Sequence, residues 1–214
     1  MARLRGALRL VVWSAATLVL ASPAYAQDWF ADVAFNQSVT SLDVLPSPSG
    51  FAINAGGLGL WGPLGLHLSY RRVSDAGQPI AQHCSLAACM QGPFDHSFLM
   101  RTWGLGGSYD FRSSTGVFLT LALDATANWQ VERLEHLGTS ERTAFDGSAT
   151  ELGLGASATL RLRPLLAGLR PVIALRYERI LGADCLQDAA CWPDRDVFGL
   201  SAGFGWVFRA GTRD

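Results

Sequence analysis

Residues 117–132 read Val-Phe-Leu-Thr-Leu-Ala-Leu-Asp-Ala-Thr-Ala-Asn-Trp-Gln-Val-Glu. One parity is apolar throughout: Val117, Leu119, Leu121, Leu123, Ala125, Ala127, Trp129, Val131. The other carries Phe118, Thr120, Ala122, Asp124, Thr126, Asn128, Gln130 and Glu132. A period of two places successive side chains on opposite faces, so the segment specifies a strand with one apolar and one polar face. Strands of soluble sheets run to about five or six residues, whereas a tilted strand crossing a bilayer needs about nine to eleven. A strand of this length with one continuous oily face predicts a membrane crossing.

The same alternation recurs along the chain. Trp29, Ala31, Val33 and Phe35 oppose Phe30, Asp32, Ala34 and Asn36. Leu64, Leu66, Leu68 and Tyr70 oppose Gly65, His67, Ser69 and Arg71. Further strands run through Thr102–Phe111, Glu151–Arg163, Leu169–Glu178 and Val197–Phe208. With Phe51–Trp61, less regular around Gly56-Gly57, eight strands are predicted. Long links (37–50, 74–97, 133–146, 182–195) alternate with short turns at Trp61-Gly62-Pro63, Arg112–Thr115 and 164–168. Long loops on one rim and short turns on the other are the topology of an outer-membrane barrel. The predicted fold is therefore all-β: a closed, antiparallel, up-and-down transmembrane barrel of eight strands.

Segments that could compete with this reading are few. Residues 1–26 carry Arg3, Arg5 and Arg9, an apolar run Leu10–Leu20, and Ala24-Tyr25-Ala26 after Pro23, the pattern of a cleaved signal peptide. The barrel is then expected over 27–208, with a short tail at 209–214. No later stretch reaches the roughly 18 uncharged apolar residues of a membrane helix, because Asp124 interrupts one candidate and Arg161, Arg163, Pro164, Arg170 and Pro171 break another. All 17 basic residues are arginine. Removing the leader leaves 14 of them against 18 acidic residues, a net charge near -4 with no basic cluster, which argues against a nucleic-acid partner.

Aromatic residues at the strand ends (Trp29, Trp103, Tyr109, Phe111, Trp129, Tyr177, Trp206, Phe208) fit interfacial girdles. The polar parity then faces the lumen. Eight strands enclose a space just wide enough for side chains to fill, and a buried charge without a partner is costly. Asp124 and Arg176 are expected to pair at mid-barrel, within a network that includes Asp32, His67, Arg71, Glu132, Glu151 and Glu178. A structural plug is the favoured reading; a proton path or pore constriction is the functional one.

Four cysteines fall in two of the long links, Cys84 and Cys89 in one and Cys185 and Cys191 in the other. An even number in an exported chain points to disulfides. One bridge within each link is expected, with bridges between links as the alternative. A zinc site of His83, Cys84, Cys89 and His96 is the other reading of the first pair, on loose spacing. No cofactor or metal is expected. Gly57-Leu58-Gly59-Leu60-Trp61-Gly62 matches a dinucleotide fingerprint but is followed by Pro63 and a strand, where the chemistry requires a helix. Ser157 lacks the flanking glycine of a nucleophile elbow. Glu135, His136 and Ser140 lie close together in a polar link without the motif of a lipid hydrolase. No enzymatic activity is expected.

Val197–Phe208 alternates and ends on an aromatic residue, and in this it resembles the terminal strand of Gram-negative outer-membrane proteins. The chain departs from them in the tail Arg209–Asp214, since most members end on the aromatic itself. Over 27–208 the chain resembles the small outer-membrane β-barrel group typified by the membrane domain of outer membrane protein A. A following peptidoglycan-binding domain is not expected. The resemblance implies a cell outer-membrane location, contact with outer-membrane lipid, insertion by the β-barrel assembly machinery, and a monomer. The expected role is structural or surface-interacting through the long extracellular loops, toward a partner the sequence does not name. A narrow porin-like channel or hydrophobic-solute conduit, and a lipid-modifying enzyme, are the alternatives.

Overall fold

A computed structural model describes residues 28–40, 48–84, 89–136, 143–166, 168–182 and 194–209. Eight strands follow one another: β1 (Asp28–Thr40), β2 (Ser49–Trp61), β3 (Leu64–Cys84), β4 (Cys89–Arg112), β5 (Phe118–His136), β6 (Thr143–Arg161), β7 (Leu169–Ile180) and β8 (Arg195–Arg209). Each pairs antiparallel with its sequence neighbours, and β1 pairs with β8 from Asp28↔Arg209 to Thr40↔Val197, so the sheet closes on itself. Closure leaves no edge strand, the condition a sheet must meet inside hydrocarbon. The predicted leader lies outside the described residues, as does the tail beyond Arg209.

The apolar parity faces outward. Leu123 is 72 % exposed, Leu154 63 % and Leu175 61 %, while their neighbours Asp124 and Ala174 are buried. A water-soluble protein does not present so large a continuous oily wall, so this wall is a bilayer-facing surface. From Phe111 to Arg101 on β4 is ten residues; at about 3.3 Å per residue and a tilt near 40° this spans about 25 Å, the height of the apolar band of such barrels.

The rim with short connections begins and ends the described barrel. Gly62 and Pro63 join β2 to β3, with Gly62 at φ 68°, the positive value the first residue of a two-residue hairpin turn requires. Just before it the register slips between Gly57 and Trp61, Gly59 takes φ 67°, and Leu58 and Leu60 turn into the interior. This bulge is the physical reason for the irregular alternation of that strand.

On the opposite rim the structure differs from the sequence reading. Links 74–97 and 133–146 are largely strand: β3 and β4 continue paired up to Cys84↔Cys89, and β5 and β6 up to Glu135↔Thr143. Beyond the lipid the outer face of a hairpin no longer needs apolar side chains, so no period of two marks it, although Phe94 is buried there. The link 37–50 is shortened likewise, since β1 reaches Thr40 and β2 starts at Ser49. Of the link 182–195, residues 183–193 lie outside the described ones.

Candidate functional site

The lumen is filled by polar side chains stacked in tiers. Nearest the short turns, Arg161 on β6 reaches across to Asp32 on β1 with both ends of its fork, Nε–Oδ1 at 3.1 Å and Nη2–Oδ2 at 2.6 Å. Its Nη1 donates to Thr120 at 2.8 Å, and its guanidinium lies 4.0 Å above the ring of Phe30. Thr120 in turn donates to Asp110 at 2.8 Å, and Arg112 closes the base with a 2.7 Å bond to Asp28.

At mid-barrel Asp124 is held from two sides, by His67 Nδ1 at 2.8 Å and by Arg176 Nη1 at 2.9 Å. Gly155 makes space for that arginine: a β-carbon there would lie 2.7 Å from Nη2 of Arg176. One step higher, Glu178 accepts from Arg71 at 2.5 Å, Thr126 at 2.6 Å and Asn128 at 2.8 Å, with Arg176 Nε at 3.7 Å. Above it Glu151 accepts from Gln130 at 2.7 Å and from Arg195, which also donates to Gln130 at 2.6 Å. The same height carries an apolar cluster of Val73, Phe98, Met100, Ile180 and Val197.

All eight residues singled out in the sequence face this interior. Asp124 and Arg176 meet, with His67, Arg71 and Glu178 around them. Asp32 lies a tier lower, Glu151 a tier higher, and Glu132 is buried towards the long-loop rim. Two arginines that sequence reasoning left out of the network hold its ends. Arg161 shares the inward parity of Thr159 and was recoverable from it; Arg195 sits at the margin of a predicted link, where no periodicity marks it.

Chemically, the arrangement balances charge. Asp32 is matched by Arg161, Asp124 and Glu178 by Arg71 and Arg176, and Glu151 by Arg195. Each pair joins strands that are not neighbours, so the bonds act as struts across the barrel. Asp32, Arg161, Arg195, Gln130 and Glu178 are each at most 1 % exposed, so at several successive levels these side chains leave water no access to one another's atoms.

The external rim carries its own charges. Arg179 on β7 bonds Asp196 on β8 at 3.0 Å and Asp194 at 3.4 Å, and Tyr177 donates to Asp196 at 2.8 Å. Asp196 lies beyond the apolar band, where the hydrogen bonds from Tyr177 and Arg179 hold its carboxyl below the ordinary value.

Cys84 ends β3 and Cys89 begins β4, and they are direct cross-strand partners at the hairpin tip; their side chains, with Cys185 and Cys191, are outside the described set. The register removes the zinc reading. His96 pairs with Gln78, seven residues down the strand from Cys89, about 20 Å away at 3.3 Å per residue, too far to share a metal with the tip. His136 ends β5 opposite Phe94, its side chain and Ser140 lying outside the described residues.

No protein-family model and no curated protein sequence matches the chain. Solved structures do. A major outer membrane protein from Thermus thermophilus superposes with a TM-score of 0.61 at 16% identity, over 85% of this chain and 99% of that one. The attachment invasion locus protein of Yersinia pestis, in complex with the heparin analogue sucrose octasulfate, gives 0.53 at 16% identity over 86% and 100%. Neisserial surface protein A gives 0.51 at 20% identity over 85% and 97%. At these identities the likeness is one of architecture, and it agrees with the strand count, the closure and the outward apolar wall: this chain has the fold of the small eight-stranded outer-membrane β-barrels.

Proposed function

We propose that this barrel is a non-enzymatic scaffold of the outer membrane whose external hairpins present an interaction surface. The observation that carries the reading is an asymmetry of investment. On one rim the strands turn back within a few residues. On the other, β3 and β4 continue as a hairpin for twelve residues beyond Arg72 and Arg101, with register shifts at Asp75/Gln78 and Ile80/Gln82, on the order of 30 Å of paired ribbon above the lipid. A paired ribbon holds its tip at a fixed height and orientation, which a partner-binding element needs and an insulating loop does not. The packed struts of the lumen support the same reading, because they stiffen the base on which the ribbon stands. Among proteins of this architecture, the Yersinia pestis protein in complex with a heparin analogue is an instance of ligand capture on such a scaffold.

The deciding experiment measures conductance and accessibility on one preparation. Inserted in planar bilayers, the folded protein is expected to give no stepwise conductance, while protease added to intact cells cleaves the β3–β4 and β5–β6 hairpins and leaves the barrel. Regular ohmic steps that survive hairpin cleavage would instead make it a narrow channel.

A further inference from the structure

Just above the aromatic girdle the outer wall carries a row of arginines: Arg72 on β3, Arg101 on β4, Arg133 on β5 and Arg179 on β7. Two of them have carboxylates within reach, Arg133 with Glu135 at 3.9 Å and Arg179 with Asp196 and Asp194. Arg72 and Arg101 differ. They are direct partners across the β3–β4 ladder, and among the described residues neither has an acidic group within ion-pair distance. Like charges set opposite each other on antiparallel strands repel. Arg101 also has a buried Nε with no hydrogen-bond partner, and its guanidinium lies 4.8 Å above the ring of Trp129. Immediately below, Tyr70 packs on Trp103 at 4.5 Å and Phe51 on Tyr70 at 5.8 Å. The site thus joins two unneutralised forks to a continuous aromatic platform.

An anion set between the forks would relieve the repulsion, and a guanidinium fork matches phosphate oxygens two at a time. Height identifies the source of that anion. Arg101 stands at the upper limit of the 25 Å apolar band described above, where the polar headgroups of the leaflet begin, and the aromatic platform descends from it into the acyl region. We infer that Arg72 and Arg101, with Tyr70, Trp103 and Trp129 beneath and beside them, bind the phosphorylated headgroup of an outer-leaflet lipid. The phosphate bridges the two guanidiniums, and the acyl chain or headgroup ring lies along the aromatic faces. The paired carboxylates of Arg133 and Arg179 leave those positions neutralised, so binding is confined to the β2–β5 side of the wall.

Bisphosphorylated lipid A and the same lipid stripped of its phosphates serve as probes, added to the full chain folded in detergent and counted by native mass spectrometry. The parent is expected to retain the phosphorylated form at least tenfold more tightly. R72Q/R101Q should lose most of that preference, while R133Q/R179Q keeps it, with folding of each checked by its heat-dependent gel migration. Equal retention of the two lipids by the parent, or an unchanged preference in folded R72Q/R101Q, overturns the inference. A second measurement needs no variant: phenylglyoxal labelling of the parent, mapped by peptide mass, should show Arg72 and Arg101 protected by phosphorylated lipid A only. Labelling that is indifferent to the lipid's phosphates overturns it as well.

Discussion

Glu178 shows what a single buried charge does here. Two arginines, a threonine and an asparagine converge on its carboxylate, and it is fully buried. Replacing it by glutamine keeps the shape and removes the charge, so Arg71 loses its ion-pair partner while Arg176 keeps Asp124. Breaking one partner out of a buried pair costs about 3–5 kcal/mol, because the other charge stays behind desolvated. Glu178→Gln is therefore expected to destabilise the folded barrel by about that amount in reversible urea unfolding from lipid vesicles. Asp196→Asn, which breaks the exposed pair with Arg179, should leave the unfolding midpoint where it was, since solvent screens that interaction. Equal midpoints for both variants and the parent would mean that the lumen network fills space without contributing stability.

Strands and hairpins are the scale at which the β3–β4 ribbon poses its question. Directly opposed residues of an antiparallel pair have Cα atoms about 4.5–5.5 Å apart, inside the span a disulfide bridges, and Cys84 and Cys89 occupy such positions at the tip. Non-reducing peptide mapping of protein from intact cells is expected to recover Cys84 joined to Cys89. Recovery of either one joined to Cys185 or Cys191 would show a bridge between hairpins instead. Because the closed loop is short and stands above the lipid, C84S/C89S should leave barrel migration unaltered while speeding protease cleavage at the tip. The same ribbon marks the limit of what the sequence discloses. Alternation is visible from Val117 to Val131 because one face meets hydrocarbon and the other a packed interior. It disappears through 74–97, where the outer face no longer meets hydrocarbon, although the backbone there is paired. It also breaks at Gly57–Trp61, where the register slips and the apolar Leu58 and Leu60 are buried in the interior. Within the site, Asp124 and Arg176 could be matched because both lie mid-strand with inward parity. The Arg161–Asp32 strut could not, since which residues face one another across the barrel depends on the accumulated stagger of all eight strands, a property no single segment carries.

For the molecule as a whole the decisive element is the seam. β1 and β8 are the first and last strands to be made, and their thirteen paired positions convert a sheet with two open edges into a closed wall. The seam is built closely at Ala34↔Gly203: a β-carbon on Gly203 would sit 2.1 Å from the carbonyl oxygen of Val33 and 2.4 Å from the Cα of Ala34. Both obstacles are backbone, so no rotamer change relieves them and the two strands would have to separate. Its neighbour Ala202 points outward and is exposed, where extra methyl groups meet only lipid. Gly203→Val is accordingly expected to abolish the faster migration of unheated, folded protein on a denaturing gel, whereas Ala202→Val retains it. An unclosed sheet also exposes two rows of unsatisfied backbone groups to hydrocarbon, each costing several kcal/mol, so the valine variant should fail to insert rather than insert in an open form. A Gly203→Val protein that folds, inserts and resists extraction like its parent would show that the seam yields, and that the closure drawn from these strand registers is not what holds the barrel in the bilayer.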